Sequence, residues 1–80
     1  MISFQEFNRF LVDTIERELP GCVFYIVNGG DCIQDVVMEI RVQGKRLQYK
    51  PYELYEEGCA EDDYEERVYE LVRKLTNVSA

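Results

Sequence analysis

Carboxylates are the most concentrated chemistry in this sequence. Glu53, Glu56, Glu57, Glu61, Asp62, Asp63, Glu65, Glu66 and Glu70 crowd into one stretch in which Arg67 is the only basic residue, and the formal charge of −7 gathers there. Acidic groups spaced along a helix and a loop can imitate the phosphates of a nucleic acid and occupy a basic channel on a partner. Long-range attraction then raises the association rate and makes affinity salt-sensitive. Glu57, Glu61, Asp62, Asp63, Glu65 and Glu66 are the residues expected to carry such binding. Tyr52 and Tyr55, which share a helix face at spacing three, are the expected apolar anchors, because a rigid ring with a polar tip loses little entropy on binding.

The competing reading of the same residues is a solvated helix face that confers solubility. Asp62 and Asp63 favour a helix start, Arg73 and Lys74 favour its end, and Glu70 with Lys74 makes a stabilising pair at spacing four. Tyr49, Tyr52, Tyr55, Tyr64 and Tyr69 border the region, and tyrosines of a small domain ordinarily seal its core.

Other chemistries fit less well. Paired carboxylates suggest a glycosidase or a divalent-metal site, but the D-x-[DN]-x-[DN]-G spacing is missing and a chain of 80 residues offers little depth for a substrate cleft. The absence of histidine rules out Ser–His and Cys–His catalytic arrangements. No phosphate-cradling glycine run occurs, since Gly29-Gly30 stands alone. Neither an enzyme nor a nucleotide cofactor is therefore expected. Cys22, Cys32 and Cys59 lack C-x-x-C pairing, and an odd count with no signal peptide favours reduced thiols in the cytoplasm. They read as small apolar core residues, with a zinc site of three thiolates and one carboxylate as the alternative that leaves metal binding open.

The elements that must position these groups follow from periodicity. A capping box at Ser3 and Glu6 opens a helix running from Phe4 to Leu19, whose apolar stripe is Phe4, Phe7, Leu11, Ile15 and Leu19. Phe10 and Val12 lie off that stripe and hint at a second contact surface. Cys22 to Val27 reads as a strand covered on at least one side, followed by a turn at Asn28-Gly29-Gly30-Asp31. From Val36 to Val42 the chain alternates, with Val36, Met38, Ile40 and Val42 on one face and Val37, Glu39 and Arg41 on the other, as a half-exposed antiparallel strand would. Gln43-Gly44-Lys45 is short enough for a hairpin turn into a third, edge strand carrying Leu47 and Tyr49.

Pro51 fits the first turn of a short helix that reaches Glu57, with Gly58 as its left-handed terminator. The last helix starts near Asp62 or Asp63 and buries Tyr64, Val68, Leu71, Val72 and Leu75. The whole chain is one α+β domain in two layers: helix, three-stranded antiparallel sheet, short helix, long C-terminal helix. A domain this short buries only about 60% of the surface its unfolded chain exposes, so one core must suffice. No apolar run approaches the ~20 residues of a membrane span.

The order of elements is similar to that of the double-stranded RNA-binding domain, but the start of the last helix reads Glu61-Asp62-Asp63-Tyr64-Glu65-Glu66 where that domain presents lysines. Duplex RNA would be repelled, and no direct nucleic-acid binding is expected. The stretch Pro51-Tyr52-Glu53-Leu54-Tyr55-Glu56-Glu57-Gly58, with the helix ending Val68-Tyr69-Glu70-Leu71-Val72, resembles a domain of unknown function from gut Firmicutes, a family that implies no activity. In size, acidity and lack of catalytic residues the chain is also similar to anti-CRISPR proteins and other phage-encoded inhibitors. That likeness implies a stoichiometric inhibitor that binds a basic surface of a CRISPR nuclease or a similar enzyme. The alternative is a structural interaction domain, monomeric or a homodimer joined at the edge strand near Leu47 and Tyr49.

Overall fold

The structure is a computed structural model that describes residues 2–76. The elements are α1 (Phe4–Glu18), β1 (Val23–Asn28), β2 (Val37–Val42), β3 (Lys45–Tyr49), α2 (Pro51–Glu61) and α3 (Tyr64–Thr76), with a single 3-10 turn over Ile33–Asp35 between β1 and β2. The strands form one antiparallel sheet in the order β1-β2-β3. Helices cover one of its faces, which gives the two-layer α+β arrangement the periodicity predicts.

The capping box forms at the start of α1. The Glu6 amide donates to Ser3 Oγ at 3.1 Å and the Ser3 amide donates to Glu6 Oε1 at 3.2 Å, so two backbone donors that helix geometry leaves unpaired are satisfied reciprocally. From there the stripe Phe7, Leu11 and Ile15 is fully buried and meets Ile40 of the sheet and Val68 and Leu75 of α3. Each such side chain contributes about 1.5–3 kcal/mol by leaving water. Phe10, off the stripe, is not free: its ring stands edge-on to Tyr64 and Tyr69 at centroid separations of 6.0 and 6.4 Å and helps join α1 to α3.

A two-residue turn links β2 to β3. Gln43 at φ 50° and Gly44 at φ 80° both take positive φ, which gives a turn whose twist matches the strands it joins. That turn fixes the register, pairing Ile40 with Leu47 and Met38 with Tyr49 on the covered face and Glu39 with Gln48 on the open one. β3 is an edge strand as expected, and its apolar side chains face the helices, with Tyr49 buried and Leu47 half-buried.

Three expectations need correction. The first strand is covered only in part: β1 is the other edge, Phe24 alone of its residues packs half-buried against the core, and Val23, Tyr25, Ile26 and Val27 are exposed. It is apolar on both faces without being enclosed on either. Second, Glu39 on the open face of β2 is only 5% exposed, because Arg41 and Gln48 close over its carboxylate. Third, α2 does not stop at Glu57. It runs through Gly58 to Glu61, and Asp62, at φ 55° and ψ 40°, is the left-handed residue that ends it.

Candidate functional site: an acidic corner between the last two helices

Pro51 occupies the first turn of α2, where its missing N–H costs nothing, and the Leu54 amide donates to the Lys50 carbonyl at 3.0 Å to close that turn. At the other end the Asp63 amide returns to the Gly58 carbonyl at 2.9 Å and the Asp62 amide to the Cys59 carbonyl at 3.4 Å. These are the two bonds of a Schellman ending, with Asp62 in the position usually held by glycine. Aspartate is among the few residues that visit this conformation. Gly58 lies one turn earlier and is there for a different reason. A Cβ on it would fall 2.7 Å from both Cα and Cβ of Tyr64, so α2 and α3 meet where position 58 has no side chain.

This junction gathers the carboxylates, and Arg67 divides them. Its Nε donates to Asp63 Oδ1 at 2.7 Å and its Nη1 to Glu57 Oε1 at 3.1 Å, which ties the first turn of α3 back to α2. Glu66 is taken up by Arg73 at 3.0 Å, an exposed pair of little energetic weight. Glu61, Asp62 and Glu65 are exposed and have no ion-pair partner among the described residues. Of the six carboxylates expected to act together, three are therefore ion-paired within the molecule, two of them sharing the single charge of Arg67, and three have no ion-pair partner among the described residues. The anticipated Glu70–Lys74 pair is not among the ion pairs of the described residues, and Arg73 reaches back to Glu66 instead.

Glu61 and Asp62 also sit at the wrong end of a helix. Peptide dipoles leave the C-terminus of α2 partially negative, where lysine or arginine is favoured and carboxylates are disfavoured by about 0.3–1 kcal/mol each. The last turn of α2 carries no basic residue. Glu65 and Glu66, by contrast, lie in the first turn of α3, where the dipole welcomes them.

Tyr52 and Tyr55 fall on the other side of α2, facing the start of α1. The Phe4 ring lies 5.1 Å from Tyr52 and 5.5 Å from Tyr55, and Phe7 lies 5.6 Å from Tyr55. The Tyr55 hydroxyl donates to the Ile2 carbonyl at 2.7 Å, and burial raises its pKa. Tyr55 thus holds α2 against α1, and Tyr52, half-buried beside it, leaves only part of its ring available.

The cysteines do not converge. Cys32 is exposed in the loop after β1, Cys22 is half-buried ahead of β1 and Cys59 half-buried in α2. Among the described residues no group of three or more cysteine, aspartate or glutamate side chains is placed to hold a metal ion. The zinc alternative therefore has no assembled ligand set.

A polar row on the open face of the sheet escapes the motif reading. Tyr25, Glu39 and Gln48 lie side by side across the three strands. Glu39 accepts from Gln48 Nε2 at 3.1 Å and from Arg41 Nε, and these bonds, Arg41 first, hold its pKa below the usual carboxylate value. The Arg41 guanidinium also lies over the Tyr25 ring, 4.4 Å from its centroid. The alternation of Glu39 with Arg41, together with the register of a two-residue hairpin, was the signal for this row.

None of the helices among the described residues is long and apolar enough to cross a membrane. No family model matches the chain, and neither curated proteins nor solved structures give a significant match.

Proposed function

We propose that the protein is a non-catalytic binder that docks the α2–α3 corner onto a cationic surface of a partner protein, with Glu61, Asp62 and Glu65 making the contact. The observation that carries this reading is the pair Glu61 and Asp62 at the C-terminus of α2. Charge of that sign is unfavourable there, and among the described residues neither side chain has an ion-pair partner, the charge of Arg67 reaching Glu61 only at longer range. The dipole of α2 favours a lysine or arginine in that turn; the left-handed ending and the start of α3 give Asp62 a local reason, but Glu61 has none, and binding supplies one. Rigidity adds to it, because the Schellman ending, the close approach of Gly58 to Tyr64 and the Arg67 ties hold the corner in one shape before any partner arrives. Less ordering entropy is then lost on binding.

The partner class that fits is an enzyme with a basic nucleic-acid channel, and a CRISPR nuclease is the specific case. The protein would occupy the channel and exclude the nucleic acid. The test is displacement of labelled target DNA from a panel of guide-loaded CRISPR nucleases, read by mobility shift as the protein is titrated in. Wild-type protein should release DNA from at least one nuclease, less effectively as salt is raised. The Glu61→Lys/Asp62→Lys/Glu65→Lys variant, with circular dichroism unchanged, should not. A triple variant that displaces DNA as well as wild type refutes the role of this corner, and retention of DNA by every nuclease refutes the nuclease assignment.

A further inference from the structure

We infer that the protein forms a two-fold homodimer through β1, whose free edge pairs antiparallel with β1 of a second copy to make a six-stranded sheet. Among the described residues the exposed large apolar side chains are Val23, Tyr25, Ile26, Val27 and Ile33, between 43% and 68% exposed, and all lie on β1 or in the loop that follows it. One side of β1 is bonded to β2; the other presents unpaired backbone N–H and C=O groups.

The two edges of the sheet differ in how they are protected. β3 carries Lys45 and Arg46 and is followed by Lys50, the usual guard against strand addition, and α3 packs against it. β1 reads Val-Phe-Tyr-Ile-Val-Asn, with no charge. A strand of this kind invites a partner.

Charge and pattern select a second copy as that partner. Two chains of net charge −7 repel over most of their surfaces. The acidic groups are concentrated on α2 and α3, and it is the opposite edge, β3, that α3 packs against. β1 itself carries no charge, so two copies can pair along it with no like charges set strand to strand, although exposed Glu16, Glu18, Asp31 and Asp35 flank its ends.

A two-fold axis normal to the sheet keeps each face on its own side. Centred on Tyr25, it sets Phe24 opposite the partner's Ile26 and the two Tyr25 rings side by side, with Val23 facing the partner's Val27 at the irregularity where the strand ends. Every cross-strand pair is apolar with apolar, which is the favourable combination. The register break between Ile26 and Asn28 ends the run, so the pairing is short and the dimer reversible. This edge differs from the one near Leu47 and Tyr49 anticipated from the sequence, where the apolar side chains already face the helices.

Sedimentation equilibrium over a wide concentration range at low and high salt tests the proposal. Wild-type mass should rise from 9.5 kDa toward twice that value with concentration. Raised salt should favour the dimer by screening like charges, opposite to its effect on binding by the acidic corner, so the two proposals fail separately. Ile26→Lys, at a position 68% exposed and therefore harmless to the fold, should remain at monomer mass with an unchanged unfolding midpoint. Val23→Lys should behave likewise. In wild type, β1 amides should gain protection from hydrogen exchange as concentration rises. A wild-type protein that stays monomeric up to millimolar concentration at both salts overturns the inference, as does a dimer that survives both lysine substitutions.

Discussion

Gly58 and Tyr64 are in backbone contact: any side chain at position 58 would begin 2.7 Å from Cα and Cβ of Tyr64. In a helix interior glycine is disfavoured relative to alanine by about 1 kcal/mol, so propensity alone would make Gly58→Ala stabilising. The close approach reverses that sign, because the atoms met are backbone and Cβ, which cannot swing aside. Gly58→Ala should lower stability by about 1–3 kcal/mol, the usual cost of overpacking. Gly29 is the control, since a Cβ there meets nothing within 4 Å and its φ is not in the left-handed region. Gly29→Ala should be neutral or stabilising by up to about 1 kcal/mol. Denaturant titration of both variants checks the pair, and equal effects would show that the helix junction tolerates a side chain.

Arg67 is the cation that lets Glu57 and Asp63 share the corner. Arg67→Met keeps most of the apolar stem and removes the charge. Its unfolding midpoint should drop below that of wild type, most at low ionic strength, and the gap should narrow as salt screens the carboxylates left behind. A salt-independent gap would mean that the packing of the stem, and not the charge, joins the helices there. Glu61, Asp62 and Glu65 are untouched but the ties that pre-form the corner are gone, so the folded variant should still bind a partner, though more weakly than wild type.

Thiol chemistry should separate the cysteines. Cys32 is exposed, whereas burial and then the nearby charge of Glu16 raise the Cys22 thiol above its ordinary pKa. Because the thiolate is the reactive species, an alkylating reagent at mildly alkaline pH should label Cys32 first and Cys22 several-fold more slowly. Peptide mass spectrometry of quenched time points reads the order. Rapid labelling of Cys22 would indicate that the segment between α1 and β1 opens in solution.

The sequence makes α1, β2, β3 and α3 legible because each carries an unambiguous local signal: the capping box at Ser3, the alternation through Ile40 and Val42, the short turn at Gln43-Gly44, and the stripe from Val68 to Leu75. What it misplaces depends on tertiary contacts. Gly58 has the composition of a helix stop, yet only the proximity of Tyr64 explains it, and that pair is brought together by the packing of α2 on α3. An apolar run like Val23–Val27 suits an enclosed strand and an edge that awaits a partner equally well, so pattern alone cannot assign its cover. The acidic stretch is visible in full, but its division into ion-paired and unpaired carboxylates depends on where Arg67 and Arg73 reach. Register arithmetic could have found the pairing of Glu39 with Gln48; the burial of Glu39 beneath Arg41 could not be read from the chain.

That buried carboxylate makes the last prediction one of pH. Hydrogen bonds from Arg41 and Gln48 lower the pKa of Glu39 in the folded protein below its unfolded value of about 4.3. A group shifted in this direction contributes stability that is fully present above its unfolded pKa and is lost as pH falls through the folded one. Glu39→Gln preserves the shape and one acceptor but removes the charge. Its unfolding midpoint should therefore lie below that of wild type at neutral pH, with the difference closing as the solution is acidified below about pH 4. Protonation of the acidic corner acts in the opposite sense by relieving repulsion, and it does so equally in both proteins. Subtracting the two pH profiles thus isolates Glu39. A difference that stays constant into acid would show that the carboxylate is held no more favourably in the folded chain than in the unfolded one, and that the row across the open face does not contribute through its charge.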